Sequence, residues 1–522
     1  MPKACATIEV GMDAKNEVVN WSVNYGDGSW EPVKLPHAWR QELPVASEGP
    51  VEYRTRLSIP SGRSWLRFEA ASYATEVWAD DQHLGSHTGL WDAFDFDLSE
   101  FASRTIEIRV RVTKNGGPTY PVREVLSGFL PYVYHTFGGI HGKVTLESNP
   151  LEDAPYRLPA VEVKGRQLWV NGEPLYVRGL LHWGWYPEIG HTHPDETTIR
   201  RELSAARDLG FNLIKFCLWV PPHRYLDLLD EFGLWAWMEL PLWQPFDDSA
   251  KLEAMGQELE RIVRQYRHHP KIILWTIGCE LSASTPAKFR QQLVDTVRSL
   301  TGSPLVKDNS GGAEMYADDL REYGDFDDFH PYCDTHIYPT VLDSLAPGAR
   351  RLQPTLLGEF NDIDVHRDLY ELSHHLPYWA SGLEELNAQG VRWQYDLPKL
   401  LKEHPIARDD DETRHFALMN LTREKALWMR KTVHEWVRAR DWISGYVVTG
   451  FRDTPISASG FFDDFDRPRF SPAECAPWNG PDCLFLMPSR RPPWQRGGNR
   501  PGWADPLCLF AGRVHWKIGV AV

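Results

Sequence analysis

Between residues 175 and 451 eight short apolar runs recur, and most are separated by amphipathic helical stretches. That alternation narrows the fold of this 522-residue chain more than any other feature. The runs are LYVRGLLHW (175–183), FNLIKFCLW (211–219), LWAWMEL (234–240), KIILWTIGCE (271–280), PLVKDN (304–309), CDTHIYP (333–339), PTLLGEF (354–360) and GYVVTGF (445–451). Most are dense in Leu, Ile, Val or Trp, as strands buried on both faces are. Between them, Ile199, Leu203, Ala206 and Leu209 share one helical face, and Gly210 supplies the stop. Tyr225, Leu228, Leu229 and Phe232 repeat the pattern before Gly233, and Leu252, Met255, Leu259, Ile262, Val263 and Tyr266 mark a longer helix. Eight parallel strands joined by helices specify a (β/α)8 TIM barrel. The stretch 361–443, before the last strand, is long and is expected to hold extra helices, LTREKALWMRKTVHEWVRA among them.

Upstream the rhythm is different. YRTRLSI (53–59), WLRFEA (65–70), TEVWAD (75–80), TIEIRVRV (105–112) and KVTLES (143–148) alternate with period two between turn residues, the pattern of an antiparallel sandwich. A lead-in near 161, VEVKGRQLWVNGEPLYVRG, carries Asn171-Gly172 as a hairpin signal. The expected organisation is therefore multidomain, β plus α/β. A sandwich fills 1–150, the barrel 151–470, and an irregular Pro-, Gly- and Trp-rich extension 471–522. That extension closes on RVHWKIGVAV, a strand-like run with no partner following it, which the start of a further β-domain would explain.

Charge and motifs exclude several functions. Fifty-six basic against 72 acidic side chains leave a net charge of −16, so neither nucleic acid nor an anionic membrane is an expected partner. No run approaches the roughly 18 apolar residues of a membrane helix. The first residues have no apolar h-region, and the seven cysteines are scattered without a CxxC pair. Reduced thiols in a cytoplasmic setting are the expectation, with export not excluded. Walker A, GxGxxG and HExxH motifs are missing from the sequence. The 23 tryptophans suit either core filling or stacking on sugar faces.

In a barrel of this kind, polar residues at the C-terminal strand ends face the active site. Glu280 closes KIILWTIGCE and Glu359 closes PTLLGEF, each after an apolar run and a glycine. Either glutamate alone is read as the partner of a nearby Lys or Arg. Together, on non-adjacent strands, they suit glycoside hydrolysis, where one carboxyl donates a proton and the other attacks or activates water.

The segment HHPKIILWTIGCE resembles the acid/base strand of glycoside hydrolase family 2. The resemblance extends over LPHAW (35–39), VWADDQHLGSHTGLWDAFDFDLSEF (77–101), FGGIHGKVTLE (137–147), LWVNGEPLYVRGL (168–180) and GFNLIKFCLWVPPHRYLDLLDEFGLWAWMELPL (210–242). It implies that the sandwich is a sugar-binding-type jelly roll, that Glu280 is the general acid/base, and that Glu359 is the nucleophile. It also implies that Tyr338, in DTHIYP, hydrogen-bonds the nucleophile. The implied reaction is a retaining double displacement on a carbohydrate, with no cofactor and no metal. His191 and His193 in HTHP are read as loop histidines.

Three departures from the family pattern stand out. Cys279 occupies the place of an asparagine that contacts the sugar 2-hydroxyl, through harmless drift or because the sugar is unusual. Lys215 stands where many relatives carry Arg. The chain also passes from about 148 to 161 without the immunoglobulin-like domain relatives insert there. By strand-end position Trp183, Trp219 and Trp243 are candidates to stack on a sugar or to pack the rim. His182, Asn309, His336 and Arg452 are candidates to bind hydroxyls, with about half of them expected to touch ligand. The resulting expectation is an exo-acting retaining β-glycosidase, β-galactosidase first. The alternatives are an altered barrel that binds carbohydrate without cleaving it and an endo-acting glycanase. Self-association into a homo-oligomer is left open.

Overall fold

The computed structural model describes residues 16–39, 47–115, 117–120, 137–153, 155, 161–186, 189–243, 249–281, 285–303, 305–311, 323–346, 353–375, 412–455 and 457–485, and two further strands, Leu507–Ala511 and Val514–Ile518.

The N-terminal strands are β1 (Trp21–Asn24), β2 (Glu31–Val33), β3 (Val51–Ser58), β4 (Trp65–Phe68), β5 (Ala74–Ala79), β6 (Gln82–Thr88), β7 (Phe94–Asp97), β8 (Thr105–Thr113) and β9 (Val144–Glu147). They form a six-stranded antiparallel sheet, β2-β1-β3-β8-β5-β6, and a three-stranded sheet, β7-β4-β9. Period-two alternation does the sorting. Val51, Tyr53 and Leu57 of β3 and Ile106, Ile108, Val110 and Val112 of β8 point inward, where they join Leu66, Phe68, Val144 and Leu146 of the smaller sheet in one core. A small sheet follows, β10 (Val161–Lys164), β11 (Gln167–Val170) and β12 (Glu173–Leu175). Its second hairpin turns at Asn171 (φ 53°) and Gly172 (φ 79°), the paired positive angles of a type I′ turn. Only a short connection separates β9 from β10, so the two domains adjoin without an inserted third.

The barrel strands are β13 (Val177–His182), β14 (Leu213–Phe216), β15 (Trp235–Glu239), β16 (Ile272–Thr276), β17 (Val306–Lys307), β18 (Asp327–Phe329), β19 (Thr355–Phe360) and β20 (Gly445–Val448). They pair in parallel from β18 through β19, β20, β13, β14, β15 and β16 to β17. Between β17 and β18, the Asp325 N–H donates to the Val306 carbonyl at 3.0 Å. Helices Glu196–Asp208, His223–Phe232 and Ser249–Tyr266 lie where their apolar faces were read, and Gly233 caps the second at φ 67°. The long insertion holds Leu369–His374 and Glu412–Arg438, while 376–411 lies outside the described residues.

One barrel strand is not where its alternation put it. Residues 333–339 do not form the sixth strand: Thr335–Ile337 is a 3-10 turn and Tyr338–Leu345 a helix with Pro339 in its first turn, where a missing N–H costs nothing. The strand is Asp327–Phe329, disguised by two aspartates. Both find partners inside: Asp327 accepts from Gln353 Nε2 at 2.8 Å, and Asp328 accepts from the Gly358 N–H at 2.7 Å. The segment after 470 is not irregular at its start. Pro472–Asn479 is a helix with a Ser471–Glu474 capping box, and Asn479 Nδ2 donates to the Leu209 carbonyl at 2.9 Å. The closing run pairs backward, in the sheet β21 (Cys483–Phe485), β22 (Leu507–Ala511), β23 (Val514–Ile518).

The sandwich docks on helix Ser249–Tyr266. Glu258 accepts the Leu90 N–H at 2.9 Å, Arg261 pairs with Asp92 at 2.7 Å, and Gln265 exchanges two 2.8 Å bonds with Ala93. Burial, with the charge of Asp92 behind it, pushes the Glu258 carboxyl up to about 8. A carboxyl raised in this way adds stability below its unfolded value of roughly 4.3, and that stability is lost as pH climbs through about 8. Glu258→Gln should therefore match wild type in thermal unfolding near pH 5. It should exceed it by on the order of 5 kcal/mol near pH 9. Parallel melting curves at both pH values contradict this assignment.

Candidate active site

The C-terminal ends of the barrel strands gather buried acids and two buried cations. Glu280 follows β16 through Ile277, Gly278 and Cys279, and its backbone is left-handed, at φ 49°. A non-glycine residue reaches that region at a cost of order 1 kcal/mol or more, so the surroundings must hold it there. They do so through Cys279 N–H to Leu242 O at 3.0 Å and Glu280 N–H to Ser310 O at 2.8 Å. Glu359 sits within β19, directly after Gly358. A Cβ at 358 would lie 2.2 Å from Asp328 Oδ1, so only glycine lets the two strands approach there.

His330, immediately after β18, joins the two glutamates. Its Nδ1 lies 3.0 Å from Glu280 Oε1 and 3.8 Å from Glu359 Oε2, and its Nε2 lies 3.0 Å from Ser310 Oγ. Carboxylate oxygens of Glu280 and Glu359 and a nitrogen of His330 all fall within 4.8 Å of one another. Burial alone would pull the imidazole pKa down. The Glu359 charge and the Glu280 hydrogen bond outweigh it and raise it to about 9.

Lys215, on β14, is the second cation. Its fully buried ammonium is 2.8 Å from Glu239 Oε2 and 3.5 Å from Glu359 Oε1, and it donates to Ser310 Oγ at 2.8 Å. Burial works against that charge, but Glu239 and then Glu359 hold it protonated well above the usual lysine value. Tyr332 donates its hydroxyl to Glu359 Oε2 at 2.7 Å, and its proton is held firmly by burial and by the charge of Glu359. Two thiols, Cys217 and Cys279, each lie 3.5 Å from Glu359 Oε1, and burial pushes both well up in pKa.

Beside these groups opens a cavity of about 590 Å³. Its wall includes Glu280, Glu359, Tyr332, Tyr338, Trp183 and Asn361. Of the residues singled out in the sequence, Glu280, Glu359, Tyr338 and Trp183 reach it; Trp183 also donates Nε1 to Cys217 Sγ at 3.1 Å. Lys215 and Cys279 lie behind the wall, against Glu359.

The other candidates are drawn elsewhere. His182 is buried against Glu202 and Tyr186, and Trp219 and Trp243 are buried in the core. Asn309 spends its amide on the Leu281 backbone, at 2.7 and 3.3 Å. His336 is exposed in the turn before Tyr338. Arg452 is locked by Glu202, Asp466 and the Trp185 carbonyl. Tyr338 does not bond Glu359: its hydroxyl has no hydrogen-bond partner, because the chain is already helical there. Tyr332 takes that place, six residues earlier. The run FHPY (329–332) carried the signal, and it was obscured by placing the strand one segment too late.

Residues 161–330 match the family described as Glycosyl hydrolases family 2, TIM barrel domain. A β-galactosidase of Vibrio cholerae is 25% identical over 276 residues, 51% of this chain and 25% of that protein. β-Galactosidase 2 of Enterobacter cloacae is 30% identical over 169 residues, 31% of this chain and 16% of that protein. The chain thus spans a quarter or less of these curated relatives. Among solved structures, a GH2 β-galacturonidase of Eisenbergiella tayi bound to galacturonate superposes with a TM-score of 0.67 at 14% identity, over 88% of this chain and 96% of that one. The β-glucuronidase of Parabacteroides merdae gives 0.63 at 16% identity, over 90% and 76%.

Two outcomes follow for the residues around Glu359. An imidazolium raised to about 9 contributes stability that is complete below roughly pH 6.5 and lost as pH rises through about 9. Wild type should exceed His330→Gln by up to about 3 kcal/mol in denaturant melts at pH 6, and that gap should shrink by pH 10. A gap independent of pH rules out the charged form. Tyr332→Phe should lower turnover on an aryl glycoside by roughly 10–100-fold, a loss of about 1.4–2.7 kcal/mol, whereas Tyr338→Phe should leave it within a few-fold. The reverse order would return the hydrogen-bonding role to Tyr338.

Proposed function

The chain belongs to glycoside hydrolase family 2, and from that premise we propose that it is a retaining exo-β-glycosidase acting through Glu280 and Glu359. The observation that carries this reading is the closeness of the two carboxylates, with oxygens inside 4.8 Å beside an open cavity. Retaining enzymes hold the pair about 5–5.5 Å apart, whereas inverting enzymes leave about 6.5–9.5 Å for a water.

In the first step Glu359 attacks the anomeric carbon while the glycosidic C–O bond breaks. Glu280 delivers its proton to the departing oxygen, leaving a glycosyl ester on Glu359. In the second step Glu280 takes a proton from water, whose oxygen displaces Glu359 and restores both groups. Tyr332 and Lys215 orient the Glu359 carboxylate, and His330 ties it to Glu280.

For the sugar, a terminal β-galactoside is our first choice. The curated relatives matched over part of this chain are β-galactosidases. The cavity wall supports a neutral sugar over a uronic acid: beyond the two glutamates it carries Asp334, Asp362 and Asp364, against Lys425 among the described residues. A substrate carboxylate would meet repulsion there.

A panel of nitrophenyl β-glycosides tests the reading. Glu359→Ala should lose at least 10³-fold in turnover, and azide should restore product with inverted anomeric configuration. Glu280→Ala should retain far more activity on substrates whose leaving group needs no protonation. Binding of sugar without turnover by wild type would favour an inactive carbohydrate-binding barrel, and cleavage within polymers only would favour an endo-glycanase.

A further inference from the structure

Against Glu359 the barrel brings together three further donors that are not part of the cavity wall and that the hydrolytic steps do not use. Cys217 follows β14, Glu239 ends β15, Cys279 follows β16 and Glu359 lies in β19. Two thiol sulfurs and one oxygen from each carboxylate all lie within 4.8 Å of one another, and all four residues are buried. No pair of these residues is close in sequence, so no motif announces them.

The spacing matches tetrahedral coordination. With metal–sulfur bonds of about 2.3 Å and metal–oxygen bonds of about 2.1 Å, ligand atoms around a tetrahedral ion stand roughly 3.6 Å apart. Glu359 Oε1 is 3.5 Å from Cys217 Sγ and 3.5 Å from Cys279 Sγ. A second observation points the same way. Both oxygens of Glu239 are fully buried without a hydrogen bond, and the contact that balances this carboxylate is the Lys215 ammonium at 2.8 Å. Lys215 supplies the opposite charge as a point contact, and the lone pairs of both oxygens stay open to a metal ion. Lys215 keeps other acceptors, Ser310 Oγ at 2.8 Å and the Gly358 carbonyl at 3.3 Å, so it is not confined to the carboxylates.

The His223, His268 and His269 group makes a useful contrast. Its rings face one another at centroid distances of 4.0–5.6 Å and interplanar angles of 27–37°. His223 Nδ1 and His269 Nε2 already satisfy each other in a 2.8 Å hydrogen bond, and His268 Nδ1 is taken by the Gln265 carbonyl at 2.8 Å, whereas the two thiols beside Glu359 hold no partner of that strength.

We propose that Cys217, Glu239, Cys279 and Glu359 form a site for a thiophilic divalent cation of the zinc or cadmium class, and that its occupancy silences the Glu359 carboxylate. Two sulfurs and two oxygens select such an ion over magnesium or calcium, which prefer all-oxygen shells. Binding exchanges two thiol protons for one ion, so affinity rises with pH. The silencing rests on the role given to Glu359 above; the binding does not.

Cadmium is the probe, because thiolate-to-cadmium charge transfer is read in the ultraviolet without any substrate. Titration of wild type should give one cadmium per chain with two thiolates, displaceable by zinc. Cys217→Ser with Cys279→Ser should weaken binding at least 100-fold, while Cys475→Ser should not. Because the double variant could misfold, alkylation in urea just below the unfolding transition, followed by mass spectrometry on the unaltered protein, supplies a second reading: zinc should slow the labelling of the buried Cys217 and Cys279 and leave that of the half-exposed Cys333 unchanged. Glycoside hydrolysis should fall with the same cadmium midpoint and return on chelation. An absent charge-transfer band, or equal alkylation with and without zinc, overturns the site. A wild type that hydrolyses no glycoside yet shows the band and the protection overturns the enzymatic reading and leaves the site standing.

Discussion

A buried carboxylate needs a cation, and the centre of this barrel is organised around that requirement. Glu239, Asp328 and Glu359 are all buried near one another, and Glu280 lies beside them. In a medium of low dielectric such a group would protonate or push its members apart. Lys215 and His330 prevent it from two sides, one from β14 and one from the end of β18, and Ser310 links them through hydrogen bonds to both. The position of Glu359 is thus set less by its own strand than by what the neighbouring strands supply.

The same requirement explains why several sequence irregularities occur together. Gly358 lets Asp328 approach β19 closely enough to accept its N–H. The left-handed backbone of Glu280 turns the chain out of β16 at the point where Ser310 can hold it. Lys215 in place of a guanidinium trades a planar fork for a compact charge that fits among Glu239, Glu359 and Ser310. The thiols occupy volume beside Glu359 without adding charge, since burial keeps them protonated. Outside this centre the molecule is conventional in its packing. Tryptophans 219, 237 and 275 fill the barrel wall, and of the three candidate stacking tryptophans only Trp183 meets the cavity.

What sequence reading missed has a consistent physical cause. Strand β18 is three residues long and two of them are aspartates, so hydropathy counted against it; the aspartates are tolerated because their partners arrive from Gln353, Gly358 and Ser310. A sixth strand read at 333–339 put Tyr338 beside Glu359 and hid both Tyr332 and His330. His182, Asn309 and Arg452 sit at strand ends and still turn away, because each finds a stronger partner nearby: Glu202 for the first and last, the Leu281 backbone for the second. Position on a strand constrains where a side chain starts, not which neighbour captures it.

The amino-acid sequence by itself determined the alternation of strands and helices, the sandwich before it, and the two glutamates at strand ends, because period and burial are local properties of a segment. Tertiary structure alone decided which tyrosine and which histidine serve those glutamates, and that Cys217, Glu239 and Cys279 share their surroundings. Those are meetings between residues from 22 to well over 100 positions apart. Such meetings depend on closure of the cylinder and on the balance of buried charge, and no stretch of chain carries either one alone.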